Sequence, residues 1–277
     1  MLDLIKYPTI TAILNTHTSP TSVGLTERAV QSLCQQQVNV PWEVVIVNDG
    51  KATDEMADMV EKYVDSSGEV DKLNVIKGSY IPQVKFFGTE EVSGYQCYPK
   101  NVATYHAKGE YISYLDYDNE WLPTHLASLY NALTEGSVWP DFTYGRRTYV
   151  IDPGCEIKQT LPGGQEIELK EFTSPLVEWG ERSVQALGQG PMCNFIDSSD
   201  FMVAKGALWS MQLATNMMWN EGLRRFADWE LITRGAHFVG WRGKAVDEVL
   251  TNYHWHGQNV QLTRGVKDMN IERVKVS

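Results

Sequence analysis

The sequence predicts an α/β fold in three layers, α/β/α, around a mainly parallel central sheet, and three observations predict it. Continuous apolar runs such as Glu43-Val44-Val45-Ile46-Val47 have the pattern of strands buried on both faces. Segments with apolar residues at helical spacing alternate with those runs. Several runs end in polar or acidic residues, at Asn15-Thr16-His17, Asn48-Asp49-Gly50 and Asp116-Tyr117-Asp118-Asn119. Ligands bind at that edge of an open α/β sheet, outside the carboxyl ends of its strands.

Taken in order, Ile10-Thr11-Ala12-Ile13-Leu14 reads as a short buried strand. The helix after it takes Thr26 as its cap and sets Ala29, Val30, Leu33 and Gln37 on one side. Glu43 to Val47 forms the second strand. Thr53, Asp54 and Glu55 open the next helix, in which Met56, Met59, Val60, Tyr63 and Val64 follow the amphipathic spacing. Val84-Lys85-Phe86-Phe87 gives another short strand. Pro99 starts a helix through Val102, Ala103, His106 and Ala107 that Gly109 terminates. A strand from Gly109 to Leu115 then runs into Asp116. With right-handed crossovers, this alternation brings Asn15 to His17, Asp49 and Asp116 to Asp118 to one edge, where they make a site.

Asp116 and Asp118 carry the most specific chemistry. Two acids separated by one residue at a strand tip suit Mg²⁺ or Mn²⁺, which takes one or two carboxylates and keeps positions for phosphate oxygens. The same residues also suit a plain polar turn. A solitary histidine near the chain end such as His256 reads by itself as a surface or packing residue, with completion of the coordination shell as the alternative. His17, His106, His125, His237 and His254 have no support as ligands, and His106 reads as structural, on a helix face that packs.

At 277 residues the chain is long enough for a large core, and it reads as one continuous domain, 1–277, with a change of character near Trp139-Pro140. The second part is more irregular and contains Gly163-Gly164 and Gly188-Gln189-Gly190-Pro191, loops suited to an acceptor site or a lid. Seven of the nine tryptophans lie at or after Trp139; most read as core, with Trp229 and Trp255 better placed for a site. The net charge of -11 argues against a nucleic-acid or anionic-membrane surface, because both present phosphates that an acidic protein repels. No apolar run is long enough to span a membrane, and Met1-Leu2-Asp3-Leu4-Ile5-Lys6 lacks the form of a signal peptide. Cys34, Cys97, Cys155 and Cys193 show neither metal nor disulfide spacing, which points to a cytoplasmic chain with reduced thiols. The sequence says nothing of oligomeric state.

Several ordered segments together resemble the family 2 glycosyltransferases, which have the GT-A fold. Pro8 to His17 is similar to the family's opening strand and base-contacting loop, and Val30 to Gln36 to its first helix. Glu43 to Gly50 resembles the strand ending in Asp-Asp-Gly, and Tyr98 to Ala103 sits where the family has Ala-Arg-Asn. Gly109 to Asn119 resembles the Gly-Glu-Tyr-Ile strand with its DXD metal motif. Phe226-Ala227-Asp228-Trp229-Glu230-Leu231 is similar to the segment carrying the catalytic base, and Tyr253-His254-Trp255-His256 to a late Tyr-Arg-x-His element. The resemblance spans about residues 8–260. Four positions depart from it: Asn48 for the first acid of Asp-Asp-Gly, His17 for an aromatic residue, Lys100 for Arg and Ala227 for Glu.

The resemblance implies a metal-dependent, inverting glycosyltransferase that moves a sugar from a nucleotide-diphosphate donor, with UDP favoured, to a hydroxyl of a glycan or other acceptor. It divides the chain into a nucleotide-sugar-binding half, about 1–138, and an acceptor-binding and catalytic-base half, about 139–277. Asp228 is then the catalytic base, or a helix-opening acid stabilised by the helix dipole, or both. Asn15, Thr16, His17, Asp49, Lys100, Asp116 and Tyr117 bind the nucleotide sugar, with Asp49 on the nucleoside and Lys100 toward the phosphates. Asp118, Asp116 and His256 hold Mn²⁺ or Mg²⁺, with Asp116 on the metal, on a metal-bound water or on the ribose. A non-catalytic nucleotide- or sugar-binding protein on the same scaffold is the alternative. A nucleotidyltransferase is less suited, because Asn15 to Gly24 is not a Gly-rich basic phosphate loop.

Overall fold

The computed structural model describes residues 8–17, 19, 22–63, 83–89, 92–93, 96–153, 155, 157–160, 166–174, 176, 179, 196–223 and 226–256. Val64, Gly163-Gly164, Gly188 to Pro191, Cys193 and Met1 to Lys6 fall outside them. The strands are β1 (Ile10–His17), β2 (Trp42–Asp49), β3 (Gln83–Gly88), β4 (Tyr111–Asp116), β5 (Glu120–Trp121), β6 (Phe142–Ile151), β7 (Ile157–Thr160), β8 (Glu166–Leu169), β9 (Glu171–Thr173), β10 (Phe201–Ala204) and β11 (Gly243–Trp255). The helices are α1 (Ser22–Cys34), α2 (Asp54–Glu61), α3 (Cys97–His106), α4 (His125–Thr134), α5 (Lys205–Thr215) and α6 (Ala227–Arg234).

One sheet runs in the order β3-β2-β1-β4-β10-β6-β11-β5, with β9 also paired to β6. β3, β2, β1 and β4 are mutually parallel, as the alternation of strands and helices predicts. β10 is antiparallel to both of its neighbours, while β11 runs parallel to β6 and antiparallel to β5. The expected α/β/α fold with a largely parallel sheet is therefore the one observed.

Its layers follow from the two-residue period of a strand. On one face Ala12, Leu14, Val44 and Ile46 pack with Ala29, Val30 and Leu33 of α1, Met56 of α2 and Leu126 of α4. On the other, Ile13, Val45, Val47 and Tyr114 pack with Ala103 of α3, Leu208 of α5 and Leu231 of α6. Each such aliphatic side chain contributes about 1.5–3 kcal/mol relative to exposure, so a strand covered on both sides carries an unbroken apolar run.

Local details correct the sequence reading in four places. α1 begins at Ser22, and Thr26 lies buried inside it, bonded to the Thr16 hydroxyl at 2.8 Å, rather than capping it. Gln37 is exposed beyond the helix; the buried residue is Gln36, whose amide reaches the Leu122 carbonyl at 2.9 Å. α3 starts at Cys97 and ends where Ala107 turns extended, and Gly109 serves a different purpose. A Cβ on Gly109 would stand 2.5 Å from the Thr11 nitrogen, so the glycine permits close approach of β1. His106 is exposed, tilted against Phe87 at 4.9 Å, not packed in the core.

Candidate active site

The register sets the edge. Asn15 pairs with Asp116 and His17 with Asp49, so the ends of β1, β2 and β4 open side by side. Asp49 is buried, and its Oδ1 accepts from the Ser93 amide at 2.8 Å and the Ser93 hydroxyl at 2.9 Å. Asn48, where the resembled motif has an acid, donates its amide to the Gly50 carbonyl at 2.9 Å and the Lys51 carbonyl at 3.3 Å. A carboxylate has no proton to give there, so the asparagine suits this turn. Gly50 is required by φ +90° and by Val92, which a Cβ would meet at 2.5 Å.

His17 stands over Tyr117, ring centroids 4.5 Å apart and edge-on. Burial lowers its pKa, while the charges of Asp118 and Asp49 pull it up. Burial, then the charges of Asp118 and Asp116, push the Tyr117 phenol well up, so it stays protonated. Thr16 is different from its neighbours: it is buried against Thr26. Asn15 is also buried, and its Oδ1 finds no hydrogen-bond partner, a polar cost that a bound donor group would relieve.

Lys100 is buried rather than open toward a phosphate. Its Nζ lies 2.9 Å from Asp116 Oδ1 and 4.7 Å from the centre of the Trp219 ring. Burial lowers its pKa, but the charge and hydrogen bond of Asp116, with smaller help from Cys97 and Asp197, together outweigh that and the net shift is upward, so the ammonium persists. Asp116 Oδ2 accepts from the Ser198 hydroxyl at 2.7 Å, and protein groups therefore meet both of its oxygens. Asp118 meets His256 instead, Oδ2 to Nε2 at 2.9 Å. A carboxylate and an imidazole in contact fit a divalent cation that draws its remaining ligands from phosphate and water. Among the described residues, no group of three or more His, Cys, Asp and Glu side chains could hold a metal unaided.

Asp228 sits in the first turn of α6, where its Oδ1 accepts from the Trp229 amide at 2.8 Å. The residue before the helix, Phe226, takes the left-handed conformation at φ 56° without being glycine, a strain characteristic of constrained functional segments. Glu230 is held elsewhere: its oxygens receive Arg234 Nε at 2.7 Å and Nη2 at 3.0 Å.

Residues that the sequence did not single out complete the floor. Asp197, Ser198, Ser199 and Asp200 form a capped turn ahead of β10, with Asp197 and Asp200 bonded reciprocally to each other's end of it. Arg147 of β6 lies 3.6 Å from Asp197 and 3.3 Å from Asp200, under the rings of Tyr149 and Tyr253. Burial and then the charge of Asp228 hold the Asp197 carboxyl well above the usual range, against the pull of Arg147. Asp116, Asp197 and Asp228 thus share one field. The acid-x-x-acid spacing at Asp197 and Asp200 was a usable sign of such a capped turn. His254 was also missed, and lies between Asp152 and Glu120 at 2.7 Å each. Of the aromatic candidates, Trp255 is buried and Trp229 half-buried. Burial pushes the Cys34 thiol up to about 12 and the Cys97 thiol to about 11, which removes both as nucleophiles.

Against known proteins, the model of glycosyl transferase family 2 matches residues 23–161. No curated protein matches in sequence. Among solved structures, S. aureus TarS superposes with a TM-score of 0.57 at 18% identity, over 89% of this chain and 37% of that one. A shorter TarS chain in complex with UDP-GlcNAc gives 0.57 at 19% identity, over 90% and 59%. The mannosyltransferase PcManGT from Pyrobaculum calidifontis, in complex with GDP-Man and Mn²⁺, gives 0.56 at 16% identity, over 91% and 59%. At these identities the likeness is one of fold, and the chain spans well under two thirds of each of these structures.

Proposed function

Since the chain belongs to glycosyl transferase family 2, we propose that it transfers a glycosyl group from a nucleotide-diphosphate sugar to a hydroxyl, with inversion at the anomeric carbon. The observation that carries this reading is the convergence on one sheet edge of Asp49, Asp116 and the Asp118–His256 pair, with Asp197 under the charges of both Asp116 and Asp228. Asp49 and the His17–Tyr117 pair receive the nucleoside, with the Asn15 carbonyl as a further acceptor. Lys100 pairs with Asp116 and adds positive charge beneath the diphosphate, acting from inside the protein. Asp118 and His256 hold Mn²⁺ or Mg²⁺, which when bound supplies the charge that a departing diphosphate needs. Asp116, engaged by Lys100 and Ser198, serves the ribose or a metal-bound water.

Asp228 accepts the acceptor's proton as its oxygen attacks the anomeric carbon and the bond from that carbon to the diphosphate breaks. A carboxylate is too weak a base to ionise an alcohol beforehand, so proton transfer accompanies the attack. Attack from the side opposite the leaving group inverts the centre. UDP is the favoured nucleotide, supported by TarS structures that carry UDP and UDP-GlcNAc, with GDP behind it on the GDP-Man complex of PcManGT.

A thermal-shift panel of UDP-, GDP- and dTDP-sugars, with Mn²⁺ and with chelator, tests the reading. A true donor at ~100 times its dissociation constant stabilises the fold by ~2.7 kcal/mol. Asp118→Ala is expected to remove the Mn²⁺-dependent part, and Asp49→Ala to weaken nucleoside diphosphate binding with or without metal. No response to any nucleotide sugar refutes the donor site. Binding without sugar transfer or donor hydrolysis in a screen of hydroxyl acceptors favours the non-catalytic alternative.

A further inference from the structure

The turn that carries Asp118 is tied down from three sides. The Asn119 amide donates to the Asp116 carbonyl at 3.0 Å, and the Asn119 side chain donates to the Ser199 hydroxyl at 3.1 Å while accepting from the His254 amide at 3.2 Å. From α1, Arg28 Nη2 donates to the Asp118 carbonyl at 3.0 Å. The other arm of the same guanidinium, Nη1, lies 3.5 Å from Asp152 Oδ2. Asp152 follows β6, and its Oδ1 meets His254 Nδ1 at 2.7 Å; the opposite ring nitrogen meets Glu120 Oε2, also at 2.7 Å. Glu120 is two residues beyond Asp118, so these contacts close into a ring: turn, Arg28, Asp152, His254, Glu120 and back to the turn.

The ring has a register. Asn252 stands opposite Glu120 in the antiparallel β5–β11 pair. His254 reaches Glu120 from two residues further along β11, and His256 reaches Asp118 by the same offset, two residues further out on both sides. The two pairs are successive rungs of one ladder. A strand slip or a splaying of β11 from β5 that breaks one rung breaks the other, and the inner rung is more heavily bonded.

We propose that Arg28, Asp152, His254 and Glu120 form a positioning frame that sets the spacing of Asp118 and His256, and thereby the affinity for the divalent cation, a role that rests on the cation site proposed above. None of the four touches the ion; they act by orienting the groups that do. Groups that orient metal ligands typically contribute 10–100-fold in metal affinity.

Mn²⁺ titrations read by the electron paramagnetic resonance of the free ion, in saturating UDP and in parallel with GDP, test this. Glu120→Gln and Arg28→Ala are expected to raise the Mn²⁺ concentration at half-saturation by ~10-fold or more. Nucleotide affinity measured in chelator should not move. Arg28 is a quarter exposed, so its alanine variant supplies a folded protein if Glu120→Gln proves unstable, and thermal melts without ligand record any loss of stability separately. Asp247→Asn, which removes an exposed pair with Arg146, is the control and should match the parent. Half-saturation within twofold of the parent in folded Arg28→Ala overturns the frame. A parent that binds no Mn²⁺ with either nucleotide refutes the cation site, and the frame with it; a parent that binds Mn²⁺ while the variants bind it equally well refutes the frame alone.

Discussion

On the amino-terminal side of the sheet, carboxylates reach the strand tips one at a time and each has its own donors: Ser93 for Asp49, and Lys100 with Ser198 for Asp116. On the other side Asp197 and Asp200 crowd about a single guanidinium, Arg147, with Asp228 in the same field. The tip acids are thereby held and aimed, which suits binding. The crowded acids repel one another, and burial with that repulsion raises both Asp197 and Asp200. Like charge makes proton capture more favourable at Asp197 and Asp200, which sets this region apart from the strand tips.

The sharpest way to break this contrast is at Asp228. Asparagine has nearly the shape of aspartate but takes no proton, so Asp228→Asn should keep donor binding and lower the chemical step ~10²- to 10⁴-fold in single-turnover assays. Glu230→Gln, which loosens the Arg234 pair, should lower stability more than turnover. Near-parental turnover in the asparagine variant, or a larger catalytic defect at Glu230, would remove Asp228 as the base.

Next in size is Lys100. Lys100→Met leaves Asp116 buried beside Ser198 with its cation gone, and breaking a buried pair costs about 3–5 kcal/mol. Urea denaturation measures it, and a loss below about 1 kcal/mol would mean that Asp116 is solvated and the tip carboxylates are not individually neutralised.

The smallest effect sharpens the seam between the regions. His125 is fully buried, stacked on Trp121 at 4.1 Å, and bridges the Ser113 hydroxyl of β4 and the Leu250 carbonyl of β11. Burial drives its pKa from 6.5 to about 3. The unfolded chain takes up this proton below pH 6.5 and the folded chain does not until about pH 3, so stability present above 6.5 is lost as the pH falls through that window. The slope reaches at most ~1.4 kcal/mol per pH unit. Asp197 and Asp200, being raised, act with the opposite sign. Urea midpoints of parent and His125→Asn between pH 7 and pH 5 separate the two: the parent should lose more stability on acidification than the variant.

The amino-terminal region was legible because its strands are apolar on both faces and its helices carry a clean period, so Asp49, Asp116 and Asp118 fell at tips by counting alone. Helix starts were less legible: Thr26 has the chemistry of a cap but packs against Thr16, a preference that tertiary contact overrode. The floor of the site was not legible. Arg147, Ser198 and His254 act through partners far along the chain, and nothing local in a lone arginine or serine says which carboxylate it meets. The resemblance drew attention to Tyr253 to His256, but only the β5–β11 register shows His254 filling the Arg position with a ring held by two acids.

The position of β11 has a consequence for assembly. β1 to β4 can pair with one another once β4 has emerged, since all of their mutual pairings lie within residues 10–116. β5 is made directly after β4, yet its sheet partner is β11, the last strand among the described residues, which slots between β6 and β5. During synthesis the two-residue β5 waits without a strand neighbour while the edge that carries Asp49 is already framed. Asp118 and His256, 138 residues apart, meet only when β11 arrives. On the cation site proposed above, a nascent chain halted before Gly243 would hold Asp118 without its imidazole partner, so ion binding would come with closure of the sheet and the cation would tie β11 to the turn after β4.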